Sequence, residues 1–250
     1  MKAIVFAGPS LPSGARDRFG HVTFRGPARQ GDVYLALRET PQVIAIIDGF
    51  FDSVPSVWHK EVLWAMARGV HILGASSIGA LRAAELDTFG MVGIGTVYDA
   101  YRTGRIEDDD EVAVTHGPAE LGHRALTLAM VSIRATLETF CVDRLKQLDS
   151  LRQYRNAAKS LGYRERTAAN IAACALEAGA DREDVEAISA HLAENIVDLK
   201  AQDAEQLLTM LADRQAEFAE PKTVRYQFND TSAWRTFVAW ADEQPWPRVN

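Results

Sequence analysis

Three largely apolar runs near the start of the chain constrain its fold more than any other feature. They read AIVFAG at 3–8, QVIAIIDG at 42–49 and VHILGA at 70–75. Such runs are typical of strands that are buried on both faces of a parallel sheet. A weaker strand and three helical segments alternate with them, at 21–24 for the strand and at 31–40, 55–68 and 78–86 for the helices. The sequence therefore predicts the α/β class, with a three-layer Rossmann-like parallel sheet.

The pattern changes towards residue 118. Residues 90–118 are rich in glycine and include an acidic run at 107–111, which predicts loops with one short helix near 96–103 and an extra strand at VAVT, 112–115. Beyond them the apolar residues follow a helical period, and a late strand is predicted at 222–228. The helices are expected at 119–148 (one long helix or two in line), 164–178, 182–196, 202–218 and 231–242. We therefore expect an α/β core domain at 1–118 and a mostly helical region at 119–250.

Composition and charge exclude several classes of protein. The net charge is −7, which argues against a nucleic-acid partner because binding to phosphates needs clustered cations. No stretch approaches the ~18 apolar residues of a membrane span, and the first residues are too short and broken for a secretory signal. The two cysteines, Cys141 and Cys174, are expected to be buried, reduced thiols. These features predict a cytoplasmic protein with no membrane partner and leave a homo-oligomer open.

A serine corner follows the third of the apolar runs. The segment Ala75-Ser76-Ser77-Ile78-Gly79 fits the small-x-Ser-x-small pattern of a nucleophile elbow, in which a strand turns sharply into a helix. Small outer residues are needed there because the strand and the helix pass very close. The N–H group of Ile78 would then stabilise an oxyanion at the helix N-terminus. A helix cap or an anion clamp is the alternative interpretation, since serine is a preferred N-cap residue.

Other candidate groups are expected at the same edge of the sheet. The carboxyl ends of the first and second apolar runs carry Gly8-Pro9-Ser10 and Asp48, and ligands bind at this edge of parallel sheets. His59 and Lys60 start the following helix, but adjacent residues point about 100° apart, so both cannot face the site fully. Glu61 has poor geometry for orienting His59. His116, on a loop, is a second candidate base.

Two charged features have ordinary explanations beside functional ones. The acidic run at 107–111 is either a solvated loop or a site for Mg²⁺ or for a basic partner surface. Arg82 and Glu85 stand three residues apart on a helix, and an ion pair is the simplest account of them. Neither cysteine falls near the predicted cleft, which argues against a thiol mechanism.

Several long strings of the chain resemble one family. The chain is similar to the core of TfuA-like proteins in two segments. The first is residues 46–91, which begins IIDGFFDSVPSVWHKEVLW and includes the serine corner. The second is GRIEDDDEVAVTHGPAELGHR at 104–124. The resemblance extends from about residue 8 to about residue 140. The family positions that fall on this chain are Asp48, Trp58, His59, Lys60, Glu61, Ser77, Arg82, Glu85, the acidic run and His116.

The resemblance implies a function in sulfur chemistry. TfuA-like proteins accompany YcaO-type enzymes, and together they install thioamides in peptide backbones. A protein of this family is expected to release sulfide from a thiocarboxylated sulfur-carrier protein of the ThiS type. The family usually has alanine at the position of Ser76, which singles out Ser77 as the serine to consider.

Family and residues together give a set of candidate roles. Ser77, His59, Lys60, Asp48 and His116 are the catalytic candidates, with either Ser77 or a water activated by His59 or His116 as the nucleophile. The loop amides between Gly8 and Ser10 would assist Ile78 in binding the oxyanion. The binding candidates are Gly8, Ser10, Ser76, Ile78, Arg82 and Glu85, and neither a metal nor a cofactor is predicted.

Three functional hypotheses remain open at this point. The first is a hydrolase of a thiocarboxylated carrier that feeds sulfide to a YcaO partner. The second is a non-catalytic adaptor that docks on the YcaO enzyme and activates it. The third, a nucleotide or phosphate binder, ranks last because neither G-x-x-x-x-G-K-[ST] nor G-x-G-x-x-G is present.

Overall fold

A computed structural model describes residues 1–11, 14–52, 54–141 and 145–247 of the chain. It contains two compact units. The first, called the sheet unit, comprises residues 1–106 and the described residues from 201 onward, and the second, called the helical unit, comprises residues 107–200. The domain boundary predicted at residue 118 stays a prediction. No described helix has both the length and the apolar character that crossing a membrane requires.

The sheet unit is built on five parallel strands. In chain order they are β1 (Ala3–Phe6), β2 (Thr23–Arg25), β3 (Val43–Ile46), β4 (His71–Ala75) and β5 (Val92–Ile94). Their spatial order is β2-β1-β3-β4-β5, and every neighbouring pair is parallel. The residues of β1 and β3 are all buried, as the unbroken apolar runs predict. The predicted parallel α/β sheet is confirmed.

Eleven helices are present in the described part of the chain, beside short 3-10 turns. They are α1 (Ala15–Arg18), α2 (Asp32–Ala36), α3 (His59–Ala67), α4 (Ile78–Leu86), α5 (Thr96–Arg102), α6 (Met130–Glu138), α7 (Leu145–Ser160), α8 (Ala168–Glu177), α9 (Arg182–Glu194), α10 (Leu199–Asp213) and α11 (Ser232–Asp242).

Each face of the sheet is covered by helices. One face packs Ile4, Ile44 and Ile72 against α2, α3 and α4. The other face packs Val5, Ala45 and Leu73 against α1 and against the leucines of α10. The outer layer on this second face therefore includes a helix that the chain contributes more than 100 residues after the last strand. This arrangement confirms the three layers and explains why the central strands β1 and β3 carry no polar side.

Three local predictions differ from the structure. VAVT forms no strand, because Val112 and Ala113 are buried beside a 3-10 turn rather than in a ladder. The edge strand is β5 instead, a three-residue segment that Gly93 interrupts. Residues 222–228 form no strand either; Tyr226 and Phe228 in this segment contact Leu63 and Trp64 of α3. Cys141 is exposed, so the prediction that both thiols are buried is wrong for it.

The helical unit has its own apolar core. Residues from α6, α7, α8 and α9 form it, including Ile133, Tyr154, Ile171 and Ile188. The helix predicted over 119–148 is two helices, α6 and α7; residues 142–144 between them lie outside the described residues.

The acidic run lies within the helical unit and is paired with cations. The Lys159 ammonium contacts Asp108, Asp110 and Glu111 together. The guanidinium of Arg166, which is fully buried, lies 2.7 Å from Asp110 Oδ2. Burial opposes ionisation of Asp110, but hydrogen bonds from Lys159 and Arg166 and their charges outweigh it and lower the pKa of this carboxyl. The run is thus mainly an ion-pair network.

Candidate active site at the switch point of the sheet

The strand order reverses between β1 and β3, which makes this pair the switch point of the sheet. The chain leaves β1 towards β2 on one side, while β3 leads to β4 on the other side. The loops that follow β1 and β3 therefore diverge, and ligands of doubly wound sheets bind in the crevice that such a divergence opens. The residues that follow these two strands, Gly8 to Ser10 and Asp48, are the ones that the sequence predicts at this edge.

Asp48 binds the loop that follows β1. Its Oδ2 accepts hydrogen bonds from the N–H groups of Gly8 and Ser10, at 2.8 and 3.0 Å. Its Oδ1 accepts the Ser10 hydroxyl at 2.6 Å, and the residue is only 1% exposed. The amides of Gly8 and Ser10 are therefore occupied by a carboxylate of the chain itself. They hold the loop in place and are not available as oxyanion donors or as a phosphate cradle.

The serine corner lies next to Asp48. The Ser77 N–H donates to the carbonyl of Ile47 at 3.2 Å, which ties the start of α4 to the end of β3. A Cβ atom on Gly79 would overlap the carbonyl oxygen of Ile46, and one on Gly74 would overlap the Gly79 carbonyl. The strand and the helix therefore approach so closely that glycine is required at both positions. This is the close approach that the elbow pattern implies.

Ser76 occupies a strained turn at this corner. Its φ is +71°, in the region that favours glycine. The Ser77 N–H also donates to the Ala75 carbonyl at 2.8 Å, two residues back. A hydrogen bond of that span around a residue with this φ is a γ-turn of the rare, strained kind. Ser76 is fully buried, and its hydroxyl has no hydrogen-bond partner among the residues that the structure describes.

Ser77 precedes the first residue of α4 but does not cap the helix with its side chain. It is 2% exposed, and its hydroxyl accepts no bond from the first turn. Its carbonyl accepts the N–H groups of Ala80 and Leu81. Within the described ranges, the N–H groups of Ile78 and Gly79 have no acceptor. The corner thus presents a serine hydroxyl and two unused helix amides, which is the donor set of an anion or oxyanion site.

His59, Arg82 and Glu85 form a separate hydrogen-bonded group. Glu85 Oε2 lies 2.7 Å from His59 Nε2 and 2.7 Å from the Arg82 guanidinium, whose Nε donates to the Val57 carbonyl. Burial opposes ionisation of Glu85, but the hydrogen bond with His59 and the charge of Arg82 outweigh it and lower the pKa of this carboxyl. The expected Arg82–Glu85 ion pair is present, and it also holds the imidazole.

The imidazole of His59 is not in contact with the serine corner. Glu85 stands eight residues after Ser77 along α4, which corresponds to about 12 Å of helix rise. His59 is 42% exposed at its side chain, and across the described chain no hydrogen bond joins it to Ser77. The structure therefore does not support His59 as a base that takes a proton directly from Ser77.

Lys60 and Glu61 face other parts of the sheet unit. Lys60 Nζ donates to Thr231 Oγ1 at 2.7 Å, and this oxygen is the N-cap acceptor of α11. Glu61 is fully buried and accepts hydrogen bonds from the N–H groups of Trp58, Gly31 and Tyr34, at the starts of α3 and α2. Burial, partly offset by these three amides, raises the pKa of Glu61 to about 7. Both side chains connect elements of the fold.

His116 belongs to the helical unit. Its Nδ1 lies 2.8 Å from the carbonyl oxygen of Gly117, and its ring packs edge to face on His123 at 5.3 Å between centroids. The candidate base on the loop therefore has local partners of its own.

Sequence reasoning missed two features of this site. The strain at Ser76 left no sequence signal, because serine gives no indication of a positive φ. The contact of Lys60 with Thr231 joins residues 171 positions apart, and no local pattern announces it. The proximity of Asp48 to the loop after β1, in contrast, follows from the rule that parallel strand ends share one edge, although its hydrogen bonds to the loop amides were not predicted.

The sheet unit is thus a doubly wound α/β unit with a serine corner beside its switch point. The family model described as TfuA-like protein matches residues 48–167 of the chain. This match confirms the resemblance, and this part of the chain is TfuA-like. It starts at Asp48 and includes the serine corner, the His59 group and His116, while Gly8 and Ser10 lie outside it. No curated protein matches the chain.

Proposed function

We propose that this protein is the partner of a YcaO-type enzyme in peptide backbone thioamidation and releases sulfide from a thiocarboxylated carrier protein of the ThiS type. The TfuA-like match over residues 48–167 supports the association with a YcaO enzyme. The observation that carries the chemical part is the serine corner at the switch point. There Ser77 lies beside two helix amides that have no acceptor in the described part of the chain.

The reaction needs no strong general acid, because HS⁻ leaves readily and the departing sulfur itself takes up the hydroxyl proton. Ser77 Oγ forms an ester bond to the carbonyl carbon of the thiocarboxylate, and the carbon–sulfur bond breaks with its electron pair on sulfur. The hydroxyl proton goes to the departing sulfur, so that the thiocarboxylate anion gives an acyl-serine and HS⁻. Water then cleaves the ester, which restores the hydroxyl and yields a carboxylate and a proton. The N–H groups of Ile78 and Gly79 stabilise the oxyanion that forms in each step.

Asp48 and Ser10 position the loop at the crevice in this proposal. The N–H groups of Gly8 and Ser10 already donate to the Asp48 carboxylate, so in this proposal the oxyanion donors come from α4 alone. Because these loop amides already have an acceptor, they cannot bind a phosphate group, which argues against the hypothesis of a nucleotide or phosphate binder. The His59–Glu85 pair, which joins the start of α3 to the last turn of α4, is then a binding surface for carrier or partner.

A direct assay tests this function. The purified protein is incubated with a thiocarboxylated ThiS-type carrier; released sulfide and the intact mass of the carrier are measured. We expect sulfide release together with a mass decrease that corresponds to exchange of one sulfur for one oxygen. Ser77→Ala should abolish both signals, whereas the matched control Ser232→Ala, at an exposed serine of α11, should leave them unchanged.

The adaptor hypothesis gives a different pattern. Wild-type protein would then release no sulfide from the carrier, yet a reconstituted YcaO reaction supplied with free sulfide would still require it. In that case Ser77→Ala would leave thioamide formation intact, and the hydrolytic proposal would be excluded.

A further inference from the structure

A cavity of about 550 Å³ lies in the sheet unit at the amino-terminal edge of the sheet. Two of its lining residues mark this position, since Pro41 leads into β3 and Val70 directly precedes β4. The serine corner follows the other end of β4, and a strand of this length separates Val70 from Ser76 by about 20 Å. The cavity, called the arginine cavity below, is therefore separate from the candidate active site.

Two arginines and two aromatic rings form one part of the lining. The Arg68 guanidinium lies over the Trp64 ring, 4.0 Å from its centroid. Arg38 Nη2 lies 2.9 Å from Asp242 Oδ1, which also accepts the Tyr34 hydroxyl at 3.2 Å. No acidic residue is among the described residues that line the arginine cavity itself. The lining is therefore positively charged, although the net charge of the chain is −7.

The guanidinium of Arg68 is available to a ligand. Across the described ranges it forms neither a hydrogen bond nor an ion pair, and the Trp64 ring is its contact. Burial and the Asp242 carboxylate raise the pKa of Tyr34, and the charges of Arg38 and Arg68 partly offset this, so both cations act on one phenol. A planar guanidinium binds a carboxylate through two parallel hydrogen bonds. The arginine cavity thus presents an unused carboxylate-binding group.

Apolar side chains form the other part of the lining. Leu37, in the 3-10 turn after α2, contributes to it together with Pro41 and Val70. The Trp64 ring is fixed by edge-to-face packing on Phe228, at 4.9 Å between centroids, so little side-chain freedom is lost when a ligand contacts it. Tryptophan, tyrosine and arginine are also the residue types that contribute most of the binding energy at protein interfaces. This composition favours a segment of another protein as the occupant.

We propose that the arginine cavity binds an acidic peptide segment of a protein partner. A carboxylate of that segment pairs with Arg68, and an adjoining apolar side chain packs against Leu37 and Val70. Both arginines are exposed at the rim, which suits a peptide that continues past the cavity. The inference goes beyond the proposed function, because the carrier has to reach Ser77 at the opposite edge of the sheet. The two binding events are therefore compatible.

The test selects peptides from a phage-displayed library of random sequences. The library is first depleted on immobilised Arg68→Ala protein, which removes peptides that bind elsewhere, and is then selected on wild type. We expect enriched peptides with aspartate or glutamate next to a large apolar residue.

The dissociation constants of the enriched peptides are then measured by fluorescence anisotropy. Arg68→Ala should raise the Kd about 10–100-fold, as expected for loss of a charge-assisted contact at an interface. The matched control is Arg102→Ala, which removes an exposed arginine of α5 whose guanidinium also lies over an aromatic ring, that of Tyr98. It should leave the Kd unchanged. The thermal midpoint of Arg68→Ala should stay close to that of wild type, because this exposed side chain has no hydrogen bond to lose.

Three results would overturn the inference. They are a selection that enriches no peptide, enriched peptides without acidic residues, and equal affinity of wild type and Arg68→Ala for the peptides. Displacement of a bound peptide by phosphate or acetate at the same concentration would reveal a simple anion site and overturn it as well. Peptide binding that depends on Arg68, in a wild-type protein that releases no sulfide from the carrier, would support this inference and remove only the proposed function.

Discussion

Replacing Ser76 by glycine should stabilise the protein. Glycine accepts a φ of +71° readily, and relief of this backbone strain contributes about 1–2 kcal/mol. Removal of the unpaired buried hydroxyl contributes about 1–3 kcal/mol. Against these gains stand about 0.5–1 kcal/mol for the greater freedom of glycine in the unfolded chain and about 0.8 kcal/mol for the lost Cβ contact. The net expectation is a gain of about 2 kcal/mol.

The gain can be measured by chemical denaturation and by calorimetry. For a chain of this length, about 2 kcal/mol corresponds to a rise of roughly 4–8 °C in the thermal midpoint. Ser76→Ala separates the two contributions, because alanine removes the hydroxyl but keeps the unfavourable φ. Alanine also avoids the two costs of glycine, so its expected gain is about 1–3 kcal/mol and similar to that of glycine.

A control and a refuting result complete this prediction. Ser232→Gly, at an exposed first turn of α11, should leave the protein unchanged or slightly less stable. If Ser76→Gly instead lowers the unfolding free energy by more than about 1 kcal/mol, the reasoning from strain and from the unpaired hydroxyl is wrong.

Three further predictions concern the close approach at the corner, the buried carboxyl of Glu61 and the ion-pair network of the helical unit. Gly79→Ala should destabilise the protein by more than about 3 kcal/mol, since the new methyl group overlaps the Ile46 carbonyl; equilibrium unfolding beside Ala80→Gly as a control checks this. Glu61 has a pKa raised from 4.5 to about 7, so its contribution to stability is fully present below about pH 4.5 and falls by about 3 kcal/mol as the pH rises through 7. The stability difference between Glu61→Gln and wild type should therefore change by that amount between pH 4.5 and 8 in urea titrations, and a pH-independent difference would contradict it. Arg166→Met should cost about 3–5 kcal/mol, because it leaves the Asp110 carboxylate with one partner fewer in a buried network; a loss below about 1 kcal/mol would show that Lys159 alone satisfies Asp110.

The elements that sequence reasoning located best are those with strong local signals. Helix α4 begins and ends where it was predicted, because a small-residue corner and a run of helix formers delimit it. Strands β1, β3 and β4 follow from apolar runs that only a doubly covered sheet accommodates. Segments without such signals were misassigned. VAVT has strand-forming side chains but no neighbouring strand to pair with, and β5 pairs with β4 although Gly93 weakens its pattern.

The candidate site shows the same division. The gathering of Asp48, Ser10 and the serine corner at one edge followed from the prediction that the strands are parallel, since parallel strands end on the same side. The distance of His59 from Ser77 did not, because it depends on α3 beginning at His59 rather than at Pro55. With α3 beginning at His59, the imidazole contacts Glu85 in the last turn of α4.

The sequence by itself determined the α/β class, the parallel sheet, the serine corner and the likeness to TfuA-like proteins, because each depends on residues that are near neighbours in the chain. Only the tertiary structure decided which groups meet. Asp48 takes the amides of the β1 loop, Lys60 supports α11, and α10 covers a face of a sheet whose strands end more than 100 residues earlier. Such pairings depend on how distant segments fill space and satisfy polar groups together, and no local pattern encodes that.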